Sequence, residues 1–305
     1  MCVSFKIEFN NNPGGKNMFD FLKGKRDLEN LPDDEKARVL CEEAEQFNEN
    51  EEPKKAEKLY LKAFEILEKL YTSEPEKYNV EFAKCCNELG ETLENLEKYD
   101  SACNYYMISE EIFDRLADGT KPEFEEDLAD VHLSIGDTFF FREKYDDAEK
   151  EYLFSLEMYE KLAEKNPDAY EEDIAYCHDS LAKSLSGKEN YTAAIGSSEK
   201  VIAIYEKLIG NPGDRNVEEL EAQRDDLAQA YADMGYAYSC ASDLEDAEKY
   251  YLKAADLFRS LAEENREEYA EELISQYQDL SILYSDMKRP ELAEEYKRKA
   301  KNPDI

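Results

Sequence analysis

The sequence predicts an all-α protein built as a solenoid of six helix-turn-helix repeats, about twelve long helices in all. Three observations carry that prediction. Alanine recurs on a fixed ladder: Ala56, Ala102, Ala148 and Ala194 lie 46 residues apart, Ala247 follows after 53 and Ala293 after another 46. A small residue stands 12 places before each, at Ala44, Gly90, Gly136, Ala182, Gly235 and Ser281. Around both anchors apolar residues recur at three- and four-residue steps, the spacing of one helix face, and strand-like alternation is absent.

The second helix of each copy is read from the alanine onward. Eleven residues after the first five alanines stand Leu67, Phe113, Tyr159, Tyr205 and Phe258, and three further on stand Leu70, Leu116, Leu162, Leu208 and Leu261. The first helix is read from the small column, whose lack of bulk lets a neighbouring helix approach closely. Three residues beyond it come Phe47, Leu93, Phe139, Leu185, Tyr238 and Tyr284. One such pair cannot bury both of its apolar faces, so stacking must do so, and residues 35–305 are expected to form a single solenoid.

This pattern resembles the tetratricopeptide repeat family, whose signature W-x2-L-G-x2-Y…A-x3-F…P sets the same small-residue-to-alanine gap within a repeat of about 34 residues. The resemblance covers residues 35–301. Tyr60, Tyr106, Tyr152 and Tyr251 stand where the family places an aromatic, whereas Ser198 and Lys297 depart from it, and Glu43 breaks the apolar column beside the first small residue. Pro75, Pro122, Pro167 and Pro212 fall 18 to 20 residues after their alanines, against about 12 in the shorter family pattern. The second helices should therefore be about two turns, or roughly 10 Å, longer than ordinary ones. The single 53-residue step is assigned to residues 209–215, a turn-rich insertion expected to lengthen one loop.

Residues 1–34 lie outside the repeat. Residues 10–15 are polar and glycine-rich and are expected to be mobile, while the apolar Met18, Phe19, Phe21 and Leu22 equip residues 18–31 to cap the first copy. Met18 also reads as an alternative start, which would leave residues 1–17 untranslated.

Composition narrows the function. The 305 residues hold 74 Asp and Glu against 38 Lys and Arg, a formal charge of -36. Such a field repels nucleic acid and anionic lipid, whose binding depends on lysine and arginine. The hydrophobic fraction of 42%, with 22 Tyr and 14 Phe, is enough for a core despite the charge. No run approaches the roughly 18 apolar residues of a membrane span, and the N-terminus lacks the layout of a secretion signal, so the chain reads as cytoplasmic.

Catalysis and metal binding find no support in the residue pattern. Seven cysteines without C-x-x-C spacing read as buried reduced thiols. His132 and His178 occupy one column with Leu40, Cys86, Tyr231 and Tyr277, a packing position. His178, Asp179 and Ser180 are successive residues, which on a helix point about 100° apart and cannot form a hydrolytic relay. Ser180-x-x-Lys183 lacks the companion motifs of the serine enzymes that use it. Residues 13–16 lack the first glycine and the final Ser or Thr of a phosphate loop. Asn190-Tyr191-Thr192 is a glycosylation acceptor only in a secreted chain. The acidic run at 125–127 reads as a helix start, where negative charge suits the dipole. No catalytic residue, metal ligand or cofactor is assigned.

The resemblance implies a binding role and says where to look for it. In this family the first helices line a concave groove, and ligands rest one place after the small column and three to four places beyond that. Carried over, those positions are Glu91, Asp137, Lys183 and Tyr236, then Glu94, Phe140, Phe141 and Ser186, with Asp179 and Ala232 one turn earlier. Phe140 and Phe141 are adjacent and cannot both face the groove. Family members that clamp a chaperone's C-terminal carboxylate place several basic and amide residues here; this chain has only Lys183, which disfavours an acidic peptide. The expectation is a non-catalytic scaffold or adaptor holding a basic, partly apolar peptide or helix. The alternatives are a self-associating structural protein, or an enzyme hidden in the repeats. The short charged final helix, ending in Lys297, Arg298, Lys299 and Lys301, is a polar cap that favours a monomer.

Overall fold

The computed structural model describes residues 28–117, 124–213 and 215–303. Among them are twelve α-helices and no strand, so the all-α expectation holds. In order they are α1 (Asp33–Glu49), α2 (Pro53–Ser73), α3 (Pro75–Glu94), α4 (Tyr99–Ala117), α5 (Glu125–Phe141), α6 (Tyr145–Ala163), α7 (Glu171–Gly187), α8 (Tyr191–Gly210), α9 (Val217–Cys240), α10 (Leu244–Glu264), α11 (Arg266–Asp286) and α12 (Pro290–Lys301). Odd-numbered helices are the first of each pair and even-numbered ones the second. The second helices α2 to α10 run 19 to 21 residues and α12 only 12. Of the capping segment 18–31, the described part is residues 28–31, a 3-10 turn at Leu28–Asn30 followed by Leu31, with Leu28 and Leu31 half-buried; the rest, with residues 1–17, lies outside the described residues.

Each pair closes on the two small columns. Ala56, Ala102, Ala148, Ala194 and Ala247 retain no exposed surface, and Ala293 in the last described pair retains 8%. The glycines are required by the aromatic four residues past the alanine. A Cβ on Gly90 would sit 2.6 Å from the Tyr106 ring, one on Gly136 2.5 Å from Tyr152, and one on Gly235 2.8 Å from Tyr251. No real side chain tolerates that distance. Where Ser198 and Lys297 replace the aromatic, the small column carries a side chain, Ala182 and Ser281, while in the first pair Ala44 is accommodated beside the buried Tyr60. Ser281 Oγ donates to the Ala293 carbonyl at 2.9 Å, joining the two anchors directly.

The turn inside each pair is also periodic. Glu51, Glu97, Glu143, Glu189, Ser242 and Lys288 adopt φ between 57° and 66°, each five residues before its alanine. The next backbone N–H bonds back five residues, as in Lys98 to Leu93 at 2.8 Å and Lys144 to Phe139 at 2.9 Å, which closes a Schellman turn and satisfies the last carbonyls of the helix. Glycine usually fills this left-handed position. Its absence here costs about 1–2 kcal/mol per turn. Between copies, ion pairs recur at the turns: Lys98 with Glu57 at 2.6 Å, Lys188 with Glu149 at 2.6 Å, and Arg289 with Glu248 at 2.9 Å.

The seven extra residues are absorbed differently from the sequence expectation. The connection at residues 211–216 is no longer than the one at 164–170, while α9, at 24 residues, is the longest helix described. The insertion has become helix. Asn216 and Glu219 form a capping box that starts α9 early. Arg215 Nη1 donates to the Asn211 carbonyl at 3.0 Å, closing the end of α8.

Curvature follows from which helices touch. Successive first helices contact one another from α1 to α9, whereas successive second helices make no comparable contact. The more closely spaced row is the inner side of a bent stack, so the odd-numbered helices form the concave face.

Gly136→Ala should lower the unfolding free energy by about 1–3 kcal/mol, because the methyl must displace the fully buried Tyr152 ring. Ala182→Gly, opposite Ser198, should cost about 1 kcal/mol or less. Denaturant unfolding of the two variants checks this, and equal losses would show that ring contact does not set the glycine column.

Candidate functional site

The inner face is a row of carboxylates held by tyrosines. At Gly90 and Gly136 the tyrosine that packs on the glycine passes between the helices and delivers its hydroxyl to that face. Tyr106 Oη donates to Glu94 Oε2 at 2.9 Å, and Tyr152 Oη donates to Asp137 Oδ1 at 2.6 Å. Asp137 Oδ2 accepts from Tyr176 of α7 at 3.0 Å, so Asp137 ties α5, α6 and α7 together. Tyr60 reaches Glu88 at 3.4 Å, and Tyr159 donates to Asp130.

Charge on this face is costly, and the groups respond. Burial, with repulsion from Asp137, pushes Glu94 up to about 8 against the help of Tyr106. Burial and Glu91 push Glu88 to about 7, and burial pushes Asp130 to about 7. Burial raises Asp137 to about 6 even though two tyrosines hydrogen-bond it. Burial and Asp179 raise Asp233 to about 6, and burial and Glu45 raise Glu91. Lys183 is a cation within this row. Its amine bonds Asp179 at 2.6 Å and lies 4.0 Å from Asp233. Burial works against its charge, but Asp179, Asp233 and Asp137 outweigh burial and raise its pKa.

Six of the eight residues singled out from sequence, Glu91, Glu94, Asp137, Asp179, Lys183 and Tyr236, lie on first helices of this inner row. The first five are linked electrostatically across α3, α5 and α7. Tyr236 is 53% exposed and interacts with the Cys240 thiol. Phe140 and Phe141, at the end of α5, go to the edge formed by the turns. Phe141, 54% exposed, stacks on Tyr99 at 4.9 Å and 15°, and Phe140 packs on Tyr145 at 5.7 Å. Among the expected ligand positions, Ser186 is half-buried and Ala232 buried.

Several inner-face residues went unnoticed in the sequence. Asp233 and Asp279 share the column of Glu88, two places before the small residue, and Ile282 continues the column of Glu91, Asp137, Lys183 and Tyr236 with 62% of its surface exposed. Extending each column through all six copies would have found them.

The residues set aside as structural behave as packing groups, with two departures. His178 is buried and pushed down to about 4 by burial and by the charge of Lys200. His132 is half-buried and pairs through Nδ1 with Glu151 at 2.8 Å. Cys85, Cys86, Cys103 and Cys177 are buried and free, but Cys240 is exposed at the end of α9, contrary to the reading of all cysteines as buried. Among the described residues no group of His, Cys, Asp and Glu is arranged to hold a metal ion, and no helix is long and apolar enough to cross a membrane.

No family model and no curated protein matches the chain. Solved structures do. The signal transduction ATPase PH0952 from Pyrococcus horikoshii, which carries a tetratricopeptide repeat sensor, aligns over 89% of this chain with a TM-score of 0.64 at 19% identity, although the match spans 37% of that protein. A putative kinesin light chain from Podosopora anserina with nearly identical TPR-like repeats aligns over 78% of this chain and 99% of its own, with a TM-score of 0.55 at 14% identity. The fold is a tetratricopeptide-type solenoid. A Rap protein complexed with competence and sporulation factor shares this solenoid over 88% of the present chain and 76% of its own, with a TM-score of 0.52 at 15% identity.

The raised carboxylates of this tetratricopeptide-type solenoid give its stability an unusual pH dependence. A carboxyl whose folded pKa exceeds its unfolded value, roughly 4, stabilises the fold fully below that unfolded value and loses the contribution as pH rises through the folded one. Glu88, Glu94, Asp130, Asp137 and Asp233 all act in this sense. His178 acts oppositely, losing its contribution as pH falls from the ordinary histidine value toward 4. The carboxylates outnumber it, so the Tm should be higher at about pH 5.5 than at about pH 8. Glu94→Gln, which keeps an acceptor for Tyr106, should raise the Tm at the higher pH and shrink the difference. A Tm that increases with pH would contradict this charge assignment.

Proposed function

We propose that this protein is a non-catalytic, cytoplasmic scaffold or adaptor that binds a basic, partly apolar peptide or helix of a partner protein along its concave face, and that it does so as a monomer. The observation that supports this reading is the inner row itself. Glu91, Glu94, Asp137, Asp179 and Asp233 succeed one another across four first helices with Lys183 as their cation, and several hold raised pKa values that a bound cation would relieve. Exposed Tyr236 and Ile282 supply apolar contact at the C-terminal end of the row. The likeness to a Rap protein complexed with a factor indicates that a solenoid of this kind can hold a ligand.

A positively charged partner gains twice on such a face. It pairs with carboxylates already desolvated by the fold, and it removes their mutual repulsion. An acidic partner meets that repulsion increased.

An amidated peptide alternating leucine with arginine or lysine should bind, its glutamate counterpart should not, and affinity should fall as salt rises from about 50 to about 300 mM. Asp137→Asn combined with Glu91→Gln should weaken binding about tenfold, while Glu160→Gln with Glu263→Gln, exposed on α6 and α10, should change it less than about twofold. Calorimetry distinguishes these outcomes. Equal losses from both variants would point to bulk charge and overturn the groove.

A further inference from the structure

The inner row opens between α9 and α11. First helices touch from α1 to α9, but α9 and α11 make no comparable contact, and a cavity of about 400 Å³ lies between them on the concave side. Asp233 lines it from α9, and Glu271, Glu272, Gln276 and Asp279 line it from α11, with Tyr236 beside them. Among the described residues no lysine or arginine lines it.

Three acceptors on residues lining this cavity are buried without a hydrogen-bond partner among the described residues: Asp233 Oδ2, Glu272 Oε2 and Gln276 Oε1. Gln276, a lining residue, retains only 6% of its surface, so its carbonyl is buried beside the cavity without compensation among the described residues. Such a group ordinarily finds a donor. Asp233 Oδ1 is already served by Gln229 Nε2 at 3.1 Å, and Lys183 stays 4.0 Å from Oδ2, too far to hydrogen-bond it. The floor also differs from the earlier copies. Tyr60, Tyr106 and Tyr152 each donate to an inner-face carboxylate, but Tyr251, their equivalent and a lining residue here, donates to none among the described residues.

We infer that this cavity is a specific subsite for the guanidinium of an arginine side chain on the bound partner. The inference rests on the basic-peptide reading and names its anchor. A guanidinium presents five N–H donors in one plane and suits several acceptors arranged around a slot, where an ammonium offers three donors from a point. Exposed Tyr236 lines the same cavity and supplies an aromatic ring for the same cation. The arginine must be carried on a chain, because the carboxylate of the free amino acid would enter among Asp233, Glu271, Glu272 and Asp279.

The test is an NMR titration of the full chain, following the Gln276 side-chain amide, with four probes: N-acetyl-arginine methylamide, its citrulline analogue, N-acetyl-lysine methylamide and free arginine. The blocked arginine should shift that resonance saturably, and the other three should bind at least tenfold more weakly. Glu272→Gln with Asp233→Asn should reduce its affinity at least tenfold, with circular dichroism confirming an unchanged fold. Those results support the subsite. Unchanged affinity in the double variant, or equal binding of citrulline or of N-acetyl-lysine methylamide, would overturn it. Failure of the broader groove reading is separate: the long basic peptide would then show no loss with Asp137→Asn and Glu91→Gln. If that peptide binds as expected while arginine shows no preference over citrulline within it, the subsite falls and the groove stands.

Discussion

The contact on which the structure depends is a tyrosine ring laid against a glycine backbone. In three of the six pairs it fixes how closely the two helices approach, leaving no space for a side chain at Gly90, Gly136 or Gly235. The same side chain sets the chemistry of the inner face. With its ring buried, the hydroxyl of Tyr106 or Tyr152 emerges beside the first helix, where a carboxylate receives it. Packing and the placement of the inner-face carboxylates therefore share one residue, and a change that loosens the pair also releases the acid it positions.

The carboxylate row is a cost that the fold carries. Like charges with raised pKa values destabilise the folded state near neutral pH, and a formal charge of -36 adds self-repulsion. Long second helices and ion pairs between copies, such as Lys188 with Asp146 and Glu149, offset part of it. Strain also enters at the turns, where six residues that are not glycine hold left-handed geometry. Functional faces commonly concentrate unfavourable terms that a ligand relieves. On this account a cationic partner should stabilise the solenoid as it binds.

What could be read from the sequence was what repeats. The helix pairs, the alanine ladder and the short last helix were legible because six copies restate the same packing rule. Features that occur once were not. Residues 209–215 look like a loop because of their Asn, Pro and Gly, yet the capping box of Asn216 and Glu219 turned the added length into helix. Phe140 and Phe141 are chemically alike and adjacent, and their place beside Tyr99 and Tyr145 depends on the neighbouring copies. The cavity near Gln276 depends on the spacing of α9 from α11, a property of the assembled stack. The left-handed column escaped notice because glutamate, serine and lysine give no signal for it.

The central claim is that the row of first helices is the surface that meets the partner. Hydrogen–deuterium exchange of the full chain, with and without the basic peptide, tests it most directly. The account predicts protection concentrated in α3, α5, α7, α9 and α11, with the second helices little changed. Protection confined to α4, α6, α8 and α10 would place the partner on the convex side and contradict it.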